Sequence, residues 1–368
     1  MGFGFSLGFG VWNLGFPDVI SSSAQLAELV SRIESFNRIA VDTEADSLHS
    51  YFEKLCLLQL SFAGQDYLID PLAGFDLAPL AAAFTEKELV LQGADFDLRL
   101  MRRSFGFIPS RVFDTVIAAR LMGIREFSLA ALVQQFFDVA LPKGSQKADW
   151  AKRPLPPRMA EYAMNDTHYL LPLAEKLEHE LSASGRLAWF RESCQRAIVQ
   201  ASVQRERDGE EVWRIAGGGA LRGRPAAILR ALWHWRDREA RAVDRPAFHI
   251  LQNQQLVASA ITFDAGEVPD FRHFSPRRRR EFLSAANEAM QLPESEWPEK
   301  RRGVRLRPTA EMDRRTDELR RHRDHVAAEL KIEPSFIAPR NALEAIARDE
   351  SQKELLLVPW QRELLGLQ

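Results

Sequence analysis

The stretch RIAVDTEADSLHSYFEKLCLLQLSF, residues 38–62, decides the fold. Its opening, Arg38 to Glu44, is an apolar, β-branched run with an acidic end, and residues 55–62 are a second apolar run of strand length. Side chains two apart on a strand point to one face, so Asp42 and Glu44 stand side by side. Working outward, strands are predicted over 38–44, 55–62, 66–69 and 88–92, with helices over about 23–36, 76–84, 95–105, 114–122 and 128–136. Strands alternating with helices imply an α/β layered domain.

Two more acidic clusters follow. LVLQGADFDLRLM (89–101) reads as a buried strand, a turn and a helix start, with Asp95 or Asp97 as the N-cap. EYAMND (161–166) is helical in pattern, and Tyr162 and Asp166, four apart, face one way. Four carboxylates and one phenol are what a two-metal phosphodiester hydrolase needs. Hard oxygen donors without paired His or Cys favour magnesium or manganese over zinc. His49 and His168 have no companions at ligand spacing, and no Ser/His/Asp arrangement or phosphate-cradling glycine loop occurs.

Taken together these segments resemble the DEDD superfamily of 3′→5′ exonucleases in its tyrosine-bearing branch. VDTEADSLHSYFEKLCLLQLSF (41–62), LVLQGADFDLRLM (89–101) and YAMND (162–166) match its three motifs in order, joined by FDTVIAARLMG (113–123) and WAKRPLP (150–156). Within the superfamily the chain is most similar to the ribonuclease D family. The resemblance implies an α/β ribonuclease H-like exonuclease domain, a mixed sheet flanked by helices. It implies a catalytic set of Asp42, Glu44, Asp97, Tyr162 and Asp166, and selects Asp97 over Asp95. Two divalent metal ions, Mg2+ or Mn2+, would be held by Asp42, Glu44, Asp97 and Asp166, with Asp42 shared and Tyr162 orienting the attacking water. The implied substrate is RNA with a 3′ extension, tRNA precursors and other small structured RNAs, shortened with release of 5′-mononucleotides. One departure is Ala45-Asp46-Ser47, where bacterial members often carry an aromatic residue and an arginine. Asp46 reads as a solvated neighbour, and Asp114 as a helix cap able to brace the site.

Beyond a proline-rich connection at 141–158 the pattern is nearly all helical, and Gly217-Gly218-Gly219 marks a break. Residues 215–292 resemble the HRDC module, an all-α nucleic-acid-binding domain, and LRRHRDHVAAELKIEPSFIAPRNALEAIA (319–347) is a looser echo of it. The expected division is an exonuclease domain over 1–212, an HRDC domain over 213–292 and a second HRDC-like helical domain over 293–368. Residues 222–323 carry a net charge of +7, leaving −9 on the rest of a chain that totals −2. An acidic part that collects metal joined to a basic part that meets phosphate fits this asymmetry. Arg277 to Arg280 read as either a phosphate patch or a solvated face. Of Trp233 and Trp235, one is expected to pack and the other to be free for stacking.

Lys143, Lys147 and Arg153 precede the Tyr162 helix as candidate nucleic-acid contacts, the alternative for Arg153 being that it pins its loop. The Gly/Phe-rich stretch Met1 to Trp12 lacks the basic start of a signal peptide and reads as a leader without structure. Two cysteines, with no disulfide framework, point to a reducing cytoplasmic setting, and no membrane partner is expected. A DNA exonuclease of the same superfamily and a binding module without catalysis are the alternative functions.

Overall fold

The structure, a computed structural model, describes residues 19–142, 144–203, 211–299 and 309–367. The N-terminal stretch to Trp12 and Lys143 lie outside them. Helix α1 (Ser23–Ile33) leads into β1 (Arg38–Ala45), β2 (Leu55–Phe62) and β3 (Gln65–Ile69). Then come α2 (Ala78–Phe84), β4 (Glu88–Leu91), α3 (Asp95–Phe105), β5 (Arg111–Asp114), α4 (Thr115–Leu121) and α5 (Leu129–Phe137). The sheet order is β3-β2-β1-β4-β5. β2 is antiparallel to β1 and β3, whereas β4 is parallel to β1 and β5, so the sheet is mixed. The four-residue β5 escapes the sequence reading because its Asp114 is also the cap of α4.

Every residue of β2 is buried, because helices cover both sides of the sheet. Ile39, Val41, Leu58 and Leu60 pack with α1, α2 and α3. On the other side, Ala40, Val90 and Phe113 meet α7 (Leu170–Ala183) and α8 (Leu187–Ser202), while Leu57 and Leu68 lie under α6 (Pro157–His168). Asp42 and Glu44 share the Ala40 side by alternation, and α6 carries Tyr162 and Asp166 onto it.

The rest is helical: α9 (Gly223–Ala242), α10 (Ala247–Ile250), α11 (Asn253–Asp264) and α12 (Pro276–Met290), then α13 (Ala310–Leu330), α14 (Pro334–Ile337), α15 (Arg340–Arg348), α16 (Gln352–Leu356) and α17 (Pro359–Leu364). The two groups repeat one device. Buried Arg236 on α9 donates to the Leu251 carbonyl at 2.8 Å, and buried Arg323 on α13 to that of Ala338 at 2.9 Å. The second pair lies 87 residues after the first, as α14 and α15 follow α10 and α11. Trp235 is buried against Phe274 and Phe282, and Trp233 is half-buried.

The first helical group has a core of its own around Leu232, Trp235 and Phe282. The second does not stand apart. Leu343, Ile346 and Trp360 share one core with Leu121, Leu173 and Leu177 of the α/β part. Trp360 stacks on Trp189 with ring centroids 5.2 Å apart, and its indole N–H donates to Ser193.

Candidate active site

The end of β1 and the middle of α6 bring three carboxylates together. Ligand oxygens of Asp42, Glu44 and Asp166 all lie within 4.8 Å of one another, and all three side chains are half-buried. At that spacing two full negative charges repel by roughly 3 kcal/mol at an effective dielectric of about 20. Among the described residues no Lys, Arg or His is ion-paired with any of them.

Asp97 arrives from α3, on the opposite side of the sheet from α6. It is buried at 5% exposure and accepts a hydrogen bond from the Thr43 hydroxyl at 2.5 Å. Thr43 stands between Asp42 and Glu44 but points to the α3 side, so one residue of the motif tethers the fourth carboxylate. Neither Asp95 nor Asp97 caps α3, contrary to expectation: Ala94 is the N-cap, and Asp95 pairs with Arg99. Asp114 does the bracing instead. It accepts from the amides of Gly93 and Ala94 at 3.0 and 2.8 Å and from those of Val116 and Ile117, which joins the turn before Asp97 to the start of α4.

Burial first, and then the negative charges of Asp97, Asp166 and Glu44, hold Asp42 well above the usual carboxylate range. Glu44 is pushed up to about 9 by burial and then by Asp166 and Asp97. Asp97 and Asp166 rise to about 7, again through burial, opposed by the Thr43 hydroxyl at Asp97 and the Tyr162 hydroxyl at Asp166. Burial, Asp166 and Glu44 raise the Tyr162 phenol as well. All five groups are therefore shifted towards their protonated forms, and a nearby cation would oppose this. The donor set is oxygen only, which suits a hard divalent ion.

A short segment walls the Tyr162 ring. A Cβ on Gly144 would sit 1.9 Å from Tyr162 Cδ2, so only glycine fits there, and Trp150 lies beyond with a centroid distance of 6.2 Å. Lys147, in the same segment, has an exposed side chain, and its carbonyl meets His49 Nε2 at 3.2 Å. Arg153 is the pin of its loop. Its guanidinium grips both oxygens of Asp70 at 2.6 Å and donates to the carbonyls of Trp150, Lys152 and Cys56. That leaves the phosphate reading of Arg153 without support from its contacts.

Asp46 corrects the sequence reading: it is not solvated but fully buried. It accepts from the Ser50 hydroxyl at 2.6 Å and the Lys54 amide at 2.8 Å, shaping the loop that leaves the Asp42–Glu44 strand. The first helical group grips this loop from outside. Asp244 accepts from the amides of Tyr51 and Phe52 at 3.0 and 3.1 Å, and Asp237 accepts from the Tyr51 hydroxyl at 2.8 Å. Asp244 adopts a φ of 44°, rare for a residue with a Cβ, in making this clip. Of the four consecutive arginines, Arg277 and Arg278 pair with buried Glu239.

Thr43, Asp46, Gly144 and Asp244 went unnoticed as parts of this site. A hydroxyl between two acidic strand residues is the one local signal for Thr43; Asp46 bonds within its own loop, and Gly144 and Asp244 depend on partners farther along the chain. A family model described as 3′-5′ exonuclease matches residues 17–182, and an HRDC domain model matches 226–261. Ribonuclease D of Xanthomonas oryzae pv. oryzae is 32% identical over 93% of this chain and 95% of its own. The chain belongs to the ribonuclease D family. The family's Pseudomonas paraeruginosa member is 31% identical over 76% of each chain. The Escherichia coli RNase D structure, described as that of an exoribonuclease involved in structured RNA processing, superposes with a TM-score of 0.72 at 26% identity, covering 95% of this chain and 96% of that one. As a ribonuclease D family member the protein is a 3′→5′ exoribonuclease, a hydrolase, and its exonuclease family depends on divalent metal.

Proposed function

We propose that this exoribonuclease trims the 3′ ends of tRNA precursors and other small structured RNAs, releasing 5′-mononucleotides, and that Asp42, Glu44, Asp97, Tyr162 and Asp166 carry the reaction. The observation behind the assignment is the convergence of Asp42, Glu44 and Asp166 within 4.8 Å, with Asp97 and Tyr162 against them. The four carboxylates would hold two divalent ions, magnesium or manganese. Bound there, such ions supply an activated water and neutralise charge on the attacking and leaving oxygens. The water oxygen bonds to phosphorus, the bond to O3′ of the preceding nucleotide breaks, and that oxygen takes up a proton.

A free phenol titrates at about 10, so Tyr162 acts as a hydrogen-bond donor that orients water rather than as a strong base. Thr43 holds Asp97 in line, Asp114 fixes the turn in front of it, and the Gly144 backbone backs the Tyr162 ring. Lys147, exposed in the segment that contains Gly144, would meet substrate phosphate. The division into 1–212, 213–292 and 293–368 enters this reading as segments of sequence, the last sharing its core with the first, and the first helical group would present RNA to the cleft through the clipped loop. A cytoplasmic setting agrees with two free, buried cysteines. No helix of the described residues is long and apolar enough to cross a membrane.

The test is digestion of matched 3′-labelled RNA and DNA oligonucleotides with magnesium, using Asp42→Asn as control. RNA shortened from its 3′ end by the wild type alone is the expected result, with Tyr162→Phe losing less activity than Asp42→Asn. Equal or faster loss from DNA would overturn the substrate assignment, because recognition of the 2′-hydroxyl is what separates the two. Turnover by Asp42→Asn above a few per cent of wild type would overturn the site.

A further inference from the structure

Gln59 lies at the centre of β2 with no exposed surface, and neither its Oε1 nor its Nε2 has a hydrogen-bond partner among the described residues. It stands directly across the ladder from Asp42 on one side and from Leu68 on the other. Paired residues of an antiparallel ladder point to the same face with Cβ atoms about 5 Å apart. The amide therefore shares with Asp42 the face that α6 covers, the helix that supplies Tyr162 and Asp166.

A buried amide with its hydrogen bonds unmade costs on the order of 1–3 kcal/mol for each unsatisfied group. The same face shows that this cost is not imposed by the fold. Leu57 and Leu68 fill neighbouring places with apolar side chains, and Ser61 places its hydroxyl between Asp66 and Thr167, at 2.6 Å from each. Gln59 alone on this row is polar and unpaired, and the polar group it stands beside is the Asp42 carboxylate.

We propose that Gln59 is a positioning residue of the cation site, its amide donating to the Asp42 carboxylate when divalent ions are bound and fixing that carboxylate's orientation. The inference rests on the reading of Asp42 as a cation ligand. Hydrogen-bond partners of metal ligands characteristically change metal affinity or activity by roughly 10–100-fold when removed.

Gln59→Met separates this from a structural role, because methionine matches glutamine in length, carries no amide and suits an apolar interior. The full chain is titrated with Mn2+ by calorimetry, and its urea unfolding midpoint is measured in EDTA. The expected result is Mn2+ binding weakened about tenfold or more, with an EDTA midpoint equal to or above that of the wild type. Mn2+ affinity within about twofold of wild type would overturn the proposal, and so would an EDTA midpoint that falls together with the affinity. Asp42→Asn, measured alongside, keeps the two readings apart. If it binds Mn2+ as the wild type does, the ligand assignment fails; if it loses Mn2+ while Gln59→Met keeps it, only the role of Gln59 fails.

Discussion

Replacing Glu44 with glutamine is expected to stabilise the cation-free protein above neutral pH. Burial and the neighbouring Asp166 and Asp97 push Glu44 up to about 9, whereas a glutamate in an unfolded chain titrates near 4.3. At pH 7 the folded chain thus keeps a proton that the unfolded chain has released. For an acid raised in this way, the stabilising contribution is complete below the unfolded value and is lost as pH climbs towards the folded one. The loss runs at about 1.4 kcal/mol per pH unit, or roughly 3–4 kcal/mol between pH 4.3 and 7. Glutamine has the same shape and no titration, so Glu44→Gln removes this slope. Urea unfolding in EDTA at several values between about pH 5 and pH 8 is the assay. The two proteins should agree near the acid end and diverge as pH rises, the variant becoming the more stable. Magnesium or manganese should then stabilise the wild type more at the alkaline end, where ligands ionise more readily. Parallel curves, or a wild type that gains stability with pH in EDTA, would refute the argument.

Asp46→Ala should cost about 2 kcal/mol, the scale of hydrogen bonds to a charged group, because it strips acceptors from the Ser50 hydroxyl and the Lys54 amide; an unchanged urea midpoint would show that the loop holds itself. Trp360→Ala removes a fully buried indole stacked on Trp189 and should cost roughly 3–5 kcal/mol. Because that core is shared, exonuclease activity and helical circular dichroism should fall at one lowered midpoint, and two separated transitions would count against a common core. Asp244→Ala should expose the 46–54 loop, seen as faster proteolytic cleavage there at unchanged thermal midpoint; protection equal to wild type would mean that Asp237 and Tyr51 suffice.

What this chain's sequence determined by itself is what repeats over a few residues. The two-residue period of β1 put Asp42 and Glu44 on one face, the four-residue step on α6 put Tyr162 beside Asp166, and alternating strand and helix patterns placed the α/β part before the helical part. Even the second helical group was legible, since Arg323 and its surroundings restate those of Arg236. Local periodicity is written into neighbouring residues, so it survives without knowledge of the partner. Tertiary structure decided everything that depends on who lies opposite. Asp46 looked solvated until Ser50 and Lys54 closed around it, and Arg153 looked available for phosphate until Asp70, 83 residues earlier, took its guanidinium. The helical tail looked like a separate domain until Trp360 proved to share a core with the exonuclease helices. Gln59 was one more polar residue in an apolar strand until the register set it across from Asp42. Register, burial and charge pairing join residues far apart in the chain, and their free energies depend on distances that no local pattern encodes.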